Sequence, residues 1–251
     1  MKKYYKSFLY FVFIFLCGYL YSQQANAFSG EEILKKVDEN YVYDTIKYDG
    51  IMEIDLGKRK LRKEMWAVAK GTDNAFAEFA NPEDRGTRYL KINKDLWIYF
   101  SSEQQTVKIS GHLLKEGMMG SDVSYEDALE SGSLADKYSI TVLPDETIDE
   151  RNCYVLDLVA KVKNVPYEKQ KLWIDTERFI IIKREMYAKN GKLLKESRTL
   201  EVKQFEKRWF ATEIFMQDKI KKGGGTHFIM KNIEFGIELP SDQFSLRRLS
   251  R

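Results

Sequence analysis

Residues 87–109 read TRYLKINKDLWIYFSSEQQTVKI, and their pattern of side chains indicates the fold class. Apolar and polar side chains alternate through residues 87–92, 96–100 and 106–109, which is the period of a half-buried β-strand. Residues 93–95, Asn-Lys-Asp, favour a tight turn because Asn and Asp tolerate the backbone angles that turns need. The stretch therefore predicts three short antiparallel strands.

The same rhythm continues on both sides of this stretch. Residues 48–56 and 62–69 predict a hairpin around Gly57-Lys58, and Asn190-Gly191 is a strong hairpin turn signal further along. No alternating helices separate the strands. The fold class predicted from this pattern is mainly β: about ten or eleven antiparallel strands that curl into an open or a closed barrel. No domain boundary is visible after residue 27, so residues 28–251 are expected to form a single domain.

The first 27 residues predict a secretory signal peptide. Three lysines within residues 2–6 precede an almost uninterrupted apolar run over residues 8–21, and Ala25-Asn26-Ala27 is a small-x-small cleavage site. We expect cleavage after Ala27, with an uncleaved anchor as the alternative. The three lysines account for the whole formal net charge of +3. The remainder is neutral, so its charge gives no argument for nucleic-acid binding, which depends on a large local excess of Lys and Arg.

Two further segments depart from the strand pattern. Residues 29–41 predict a helix that Ser29 and Glu32 cap, with apolar residues at helical spacing. Residues 111–133 are rich in Gly and Ser, and Ser124 with Asp127 predicts a short capped helix there. The flexible apolar residues of this segment are Leu113, Leu114, Met118 and Met119. They either complete an ordinary core or form a lid over an apolar ligand on a concave sheet face.

The sequence contains few of the residues that catalytic sites usually need. His112 and His227 are the only histidines, and no Cys/His cluster exists to bind zinc. Cys153 lies in a strand-like run and is expected to be a small buried hydrophobe. We therefore expect no enzyme activity, no cofactor and no metal, and a lipid hydrolase ranks third among the functions considered.

Several motifs resemble one known family, the LolA-like outer-membrane lipoprotein-sorting proteins of diderm bacteria. These motifs are RGTRYLKI (85–92), DLWIYF (95–100), VKISGHLL (107–114), MMGSDVSYED (118–127) and LPSDQFS (239–245). The resemblance covers essentially the whole chain after residue 27. It implies an incomplete barrel around a helical lid, with an apolar cavity that carries acyl chains across the periplasm.

The combined expectations name a set of candidate ligand-binding residues. The wall candidates are Trp66, Phe79, Trp97, Trp173 and Phe215, and the lid candidates are Leu113, Leu114, Met118 and Met119. Arg85 and Arg88 are expected to hydrogen-bond lid carbonyls or a lipid headgroup. Which face of each strand lines the cavity is left open, because several strands are apolar on both sides.

The leading functional hypothesis is a periplasmic, non-enzymatic carrier that binds acyl chains of lipoproteins or free lipids and sorts them toward the outer membrane. The resemblance implies an inner-membrane transporter and an outer-membrane acceptor as partners, and we expect a monomer. The alternative is a sensor or adaptor of the same fold that recognises envelope components or serves a lipid-exporting transporter.

Overall fold

The computed structural model describes residues 28–251, so the predicted signal peptide and its cleavage site lie outside the described residues. The strands are Thr45–Asp55 (β1), Lys60–Lys70 (β2), Asn74–Phe79 (β3), Arg88–Ile92 (β4), Asp95–Phe100 (β5), Gln105–Ile109 (β6), Tyr138–Ile148 (β7), Arg151–Ala160 (β8), Lys169–Asp175 (β9), Ile181–Tyr187 (β10), Leu193–Phe205 (β11), Arg208–Asp218 (β12) and Gly225–Phe235 (β13). The α-helices are Gly30–Glu39 (α1), Tyr125–Leu129 (α2), Leu134–Lys137 (α3) and Leu246–Leu249 (α4), and 3-10 helices cover Gly111–Lys115 and Met118–Gly120. Within the described residues, no helix is long and apolar enough to cross a membrane.

The thirteen strands form one open antiparallel sheet in the order β6-β5-β4-β3-β2-β1-β13-β12-β11-β10-β9-β8-β7. Strands β1 and β13 pair near the middle, so the sheet is a meander whose first and last strands are neighbours. Strands β6 and β7 are the two free edges. Residues 110–137 connect these edges, and they are the segment that interrupts the strand rhythm.

The predicted fold class is confirmed, but the predicted number of strands was too low. The sheet has thirteen strands where about ten or eleven were expected. A turn of only two residues, 93–94, separates β4 from β5, and Asn93 takes a left-handed φ of 54° there. The tight turn predicted at residues 93–95 is therefore present, with Asp95 already part of β5.

The pairing register identifies the two faces of the sheet, since directly paired residues point to the same side. Met65 pairs with Phe79, and Lys91 pairs with Ala75 and Leu96. We call the side that carries these residues the inner face. The opposite side, called the outer face, carries the residues that alternate with them, and Trp66 is one example.

Helix α1 covers the inner face of the β7–β10 half. The predicted cap is present, because the Ser29 backbone N–H donates to the Glu32 carboxylate at 2.7 Å and Glu32 N–H donates to the Ser29 hydroxyl at 3.2 Å. Ile33, Leu34 and Val37 are at most 4% exposed and pack on strands β8 and β9. This half is a filled hydrophobic core.

The C-terminal segment covers the outer face of strands β2–β5. Leu249 is fully buried there against Val68, Phe76 and Leu90. These strands are therefore apolar on both faces, because each face has its own cover.

Candidate ligand-binding cavity

A cavity of about 380 Å³ lies between the inner face and the connection from β6 to β7. Its floor comes from strands β1–β5, β10, β12 and β13, and its roof comes from residues within 118–130. We call residues 111–130 the lid. The volume falls near the lower end of the roughly 300–1,000 Å³ that is usual for small-molecule sites.

Methionine is the characteristic residue of this lining. Five of the eight methionines in the chain contribute to it: Met52, Met65, Met118, Met186 and Met216. An unbranched thioether side chain adapts its rotamers to ligands of different shape. Ala75 and Ala77 of β3 also line the cavity, and their small side chains leave space in the wall. The lining therefore fits a flexible apolar ligand.

An ion pair fastens helix α2 of the lid to the sheet. Lys195 Nζ lies 2.5 Å from Asp127 Oδ2, and the Tyr167 hydroxyl donates to Asp127 Oδ1. The Ser124 hydroxyl, which caps α2, donates to Asp127 at 2.7 Å. Burial raises the pKa of Asp127, but Lys195 and the hydrogen bonds outweigh burial and hold this pKa below its usual value. The carboxylate is therefore ionised at neutral pH.

A second ion pair joins the end of the lid to β10. Arg184 Nη2 lies 2.9 Å from Glu130 Oε2 and 3.1 Å from Oε1, and Arg184 Nε donates to Gln170 Oε1 at 2.7 Å. Arg184 and Glu130 both line the cavity. Their charges compensate each other within the wall.

The first part of the lid is held by the β12–β13 hairpin. Thr226 Oγ1 donates to Asp122 Oδ2 at 2.7 Å, and Asp218 N–H donates to Asp122 Oδ1 at 2.9 Å. Lys221 Nζ donates to the Ser121 carbonyl at 2.9 Å. At Gly117 a Cβ atom would lie 2.0 Å from that same carbonyl, so this close approach requires glycine. The polar residues of the MMGSD motif thus fix the lid in place.

Only some of the apolar lid candidates lie at the cavity. Met118 lines it directly, while Leu114 and Met119 pack against the neighbouring core of β1–β5. Met119 has a left-handed φ of 53°, and the Tyr89 hydroxyl contacts its sulfur at 3.0 Å. Leu113 is 37% exposed at the surface of the lid. Direct contact of these residues with a ligand stays a prediction.

The wall candidates require a correction. Only Phe79 lies on the inner face, where it packs in the core beside the cavity. The other four candidates lie on the outer face: Trp66 and Trp97 under the C-terminal segment, Trp173 among residues of β8 and β10, and Phe215 against the ring of His227. The physical reason is strand alternation, which turns Trp66 away when its neighbour Met65 faces the cavity.

The two arginine candidates also lie away from the cavity. Arg88 Nε lies 3.2 Å from Glu78 Oε2, and Arg88 Nη1 donates to the Leu249 carbonyl at 3.3 Å on the outer face. Arg85 is exposed in the turn before β4. The predicted contact of Arg88 with lid carbonyls is therefore wrong, because its carbonyl partner belongs to the C-terminal helix.

The sequence interpretation missed several residues that line or close the cavity. They are Met52, Met65, Lys91, Asp127, Glu130, Arg184, Met186, Lys195 and Met216. Four strands each carry one of the lining methionines, and this recurrence of Met across strands is the signal that could have found them. The charged residues gave no such signal, since a lone Lys or Arg in a strand usually faces solvent.

The Cys and His side chains of residues 28–251 do not converge at the cavity. Cys153 is fully buried under the outer face, and burial raises the pKa of its thiol to about 11. His112 is exposed, and His227 Nδ1 lies 2.9 Å from Glu213 Oε1. Among residues 28–251, no group of three or more His, Cys, Asp or Glu is placed to hold a metal ion. The absence of enzyme activity stays a prediction.

Comparison with solved structures identifies the fold. A DUF1329 family protein of Desulfovibrio piger superimposes with a TM-score of 0.80 at 22% identity, covering 86% of this chain and 96% of that one. A putative outer membrane lipoprotein-sorting protein domain of Vibrio parahaemolyticus gives 0.78 at 24% identity, covering 88% and 97%. A LolA superfamily protein of Nitrosomonas europaea gives 0.72 at 24% identity, covering 88% and 100%. The resemblance to LolA-like proteins is thereby confirmed for the fold.

Sequence comparison adds a family and a curated relative. An uncharacterized protein of Methanocaldococcus jannaschii is 28% identical over 169 residues, which are 66% of this chain. The match spans only 45% of that protein's length. A family model described as "Uncharacterized protein" matches residues 71–251, a range that includes the lid and most of the sheet. The chain belongs to this family and has the LolA-like fold.

Proposed function

We propose that this protein is a periplasmic carrier that binds an acyl chain of a lipid or lipoprotein in the cavity and sorts it toward the outer membrane. The observation that carries the proposal is the cavity under the lid, with five methionines in its lining. The Vibrio parahaemolyticus domain of the same fold is described as a putative outer membrane lipoprotein-sorting protein. The role is extended to this chain as a proposal.

The construction of the lid supports reversible binding. The lid joins the two free edges of an open sheet, and polar contacts such as the Asp127–Lys195 pair hold it closed. Exchanging these contacts for water costs less than unpacking an apolar core. Burial of an acyl chain is worth about 0.8 kcal/mol per CH₂ group, so a small cavity that holds part of a long chain keeps release possible.

Direct identification of the cargo tests the proposal most directly. Native mass spectrometry of the protein purified from the periplasm is expected to show a bound lipid or a lipoprotein. Copurification of a membrane protein without lipid would instead support the sensor or adaptor function.

A binding experiment tests the cavity itself. The double variant Met118→Asp/Met119→Asp is expected to lose most of its affinity for a fluorescent fatty acyl probe, because charges at the roof oppose burial of the chain. Both methionines are half-buried, and Asp tolerates the left-handed backbone of residue 119, so we expect the thermal midpoint to change much less.

A control with the same added charge accompanies this variant. Leu200 and Ile220 are 51% and 58% exposed, so Leu200→Asp/Ile220→Asp should leave both probe affinity and stability unchanged. Unchanged affinity in the methionine variant would remove the cavity from the binding function. A collapsed midpoint would show that the two methionines belong to an ordinary core.

A further inference from the structure

Lys91 of strand β4 places a buried amino group in the wall of the cavity. The residue is 8% exposed and pairs with Ala75 and Leu96, both of which also line the cavity. Lys91 Nζ donates to the Ala128 carbonyl at 3.3 Å. Among residues 28–251 it forms no ion pair. An ammonium group has three donors, so the Ala128 carbonyl leaves two of them available to a ligand.

The other charged groups of the lining are compensated by protein partners. Asp127 pairs with Lys195 at 2.5 Å, and Arg184 pairs with Glu130 at 2.9 Å. Lys91 differs because its direct partner is neutral. A buried cation without a counter-charge is costly, and an anion brought by a ligand would remove this cost.

Burial and the charged neighbours of Lys91 are consistent with its lack of a direct ionic partner. Burial lowers the pKa of Lys91, and the nearby Lys137 lowers it further. Asp73 and Glu130 oppose this shift from a distance, but neither forms an ion pair with Lys91. An anionic ligand group in contact with Lys91 would stabilise its charged form.

Most of the other lining residues are apolar, and together they can contact an alkyl chain. The five methionines and Leu96 provide a wall for methylene groups, and Lys91 lies on the same inner face. Apart from the two ion pairs, the arrangement combines an apolar wall with one cation that has no direct ionic partner, which matches an amphipathic molecule with a negative end.

We propose that the cavity selects acyl ligands with an anionic end group, a carboxylate or a phosphate, and that Lys91 binds this group. This inference rests on the proposed function, since it specifies the ligand class of the same cavity. A charge-assisted hydrogen bond in a buried site contributes enough to favour the anionic ligand by about tenfold or more over a neutral ligand with the same chain.

The test compares three ligands by displacement of a neutral fluorescent acyl probe at pH 7. Palmitic acid, methyl palmitate and hexadecyl phosphate share a chain length and differ in their end group. The wild-type protein is expected to bind the acid or the phosphate at least about tenfold more tightly than the ester. The stronger of the two anions shows which end group Lys91 prefers.

Variants then connect the preference to Lys91. Lys91→Met should remove the preference while leaving the affinity for methyl palmitate nearly unchanged, and Lys91→Arg should keep part of it. Lys94→Met is the matched control, because Lys94 is exposed in the turn next to β4, and it should behave like the wild type.

The outcomes separate this inference from the proposed function. Binding of the ester with no preference for either anion in the wild type would overturn the role of Lys91 but keep the carrier function. The same conclusion follows if Lys91→Met weakens all three ligands equally, because Lys91 would then only hold the lid. If no ligand displaces the probe and the probe itself does not bind, the carrier function fails. If Lys91→Met fails to fold, the absence of an anion preference in the wild type still overturns the inference, and a preference that Lys91→Arg reduces still assigns it to Lys91.

Discussion

Two halves of the same inner face are covered in different ways. Helix α1 covers the β7–β10 half with Ile33 and Leu34, which are at most 1% exposed, and leaves a filled core. The lid covers the other half with short helices and turns, and a cavity of about 380 Å³ remains beneath it. The sheet residues differ as well: Leu and Ile side chains lie under helix α1, whereas Met and Ala side chains lie under the lid. The cover and the residues beneath it together decide whether this sheet encloses a core or a ligand site.

The two covers also differ in how they are attached. Helix α1 is held mainly by apolar packing. The lid packs Leu114 and Met119 on the core, but it is also held by buried polar contacts, among them Asp122 with Thr226 and Asp127 with Lys195. Polar contacts can be exchanged for water when a segment moves, whereas exposing an apolar helix face is unfavourable. Opening is therefore expected on the lid side of the molecule.

The largest expected effect concerns the filled half. Leu34→Ala should lower the free energy of unfolding by about 2–5 kcal/mol, because it leaves a cavity in a packed core. Met118→Ala should cost about half of that or less, since Met118 already borders empty space. Urea unfolding of both variants measures the difference. Equal costs would mean that the lid is packed as tightly as helix α1.

The second prediction concerns the contact that closes the lid. Asp127→Asn should cost about 1–3 kcal/mol at pH 7, because Lys195 loses its charged partner. The pKa of Asp127 lies below its unfolded value, so its stabilisation is complete above the normal carboxyl range near pH 4 and is lost as the pH falls further. The stability difference between the two proteins should therefore shrink on acidification below about pH 4.

Urea unfolding of both proteins between pH 7 and pH 3 measures this effect. Asp95→Asn is the control, since the Asp95–Lys108 pair is about half exposed on both sides and should contribute less than about 1 kcal/mol. A stability difference for Asp127→Asn that stays constant down to pH 3 would contradict the assignment of a lowered pKa.

Local signals in the sequence were enough to predict the strands, the caps and the position of the lid. The capping boxes at Ser29 and Ser124 and the turn at Asn93 depend on residues only a few positions apart, so a single sequence displays them. The family resemblance supplied the openness of the sheet and the expectation of a cavity. These predictions were confirmed at the level of the fold.

The face of each strand could not be predicted because it depends on contacts far apart in the chain. Strand β2 reads Met65-Trp66-Ala67-Val68, which is apolar at every position. Leu249 lies in the cluster that contains Trp66, across more than 180 residues of sequence, and this contact and the strand register together show that Trp66 faces outward. Aromatic residues were chosen as the wall for their size, whereas the wall consists mainly of smaller and more flexible side chains.

The smallest expected effect tests this assignment of faces with two neighbouring residues. Phe215 lies against His227 on the outer face, while Met216 lines the cavity. Met216→Ala removes apolar contact with a bound chain and should weaken binding of a fluorescent acyl probe by about three- to tenfold. Phe215→Leu should leave that affinity within about twofold, although it removes the larger side chain. Probe titrations on both variants, each checked for an unchanged fold by circular dichroism, measure the contrast. A loss of affinity in Phe215→Leu that matches the loss in Met216→Ala would place the ligand on the outer face, against the register that pairs Met216 with Thr226 beneath the lid.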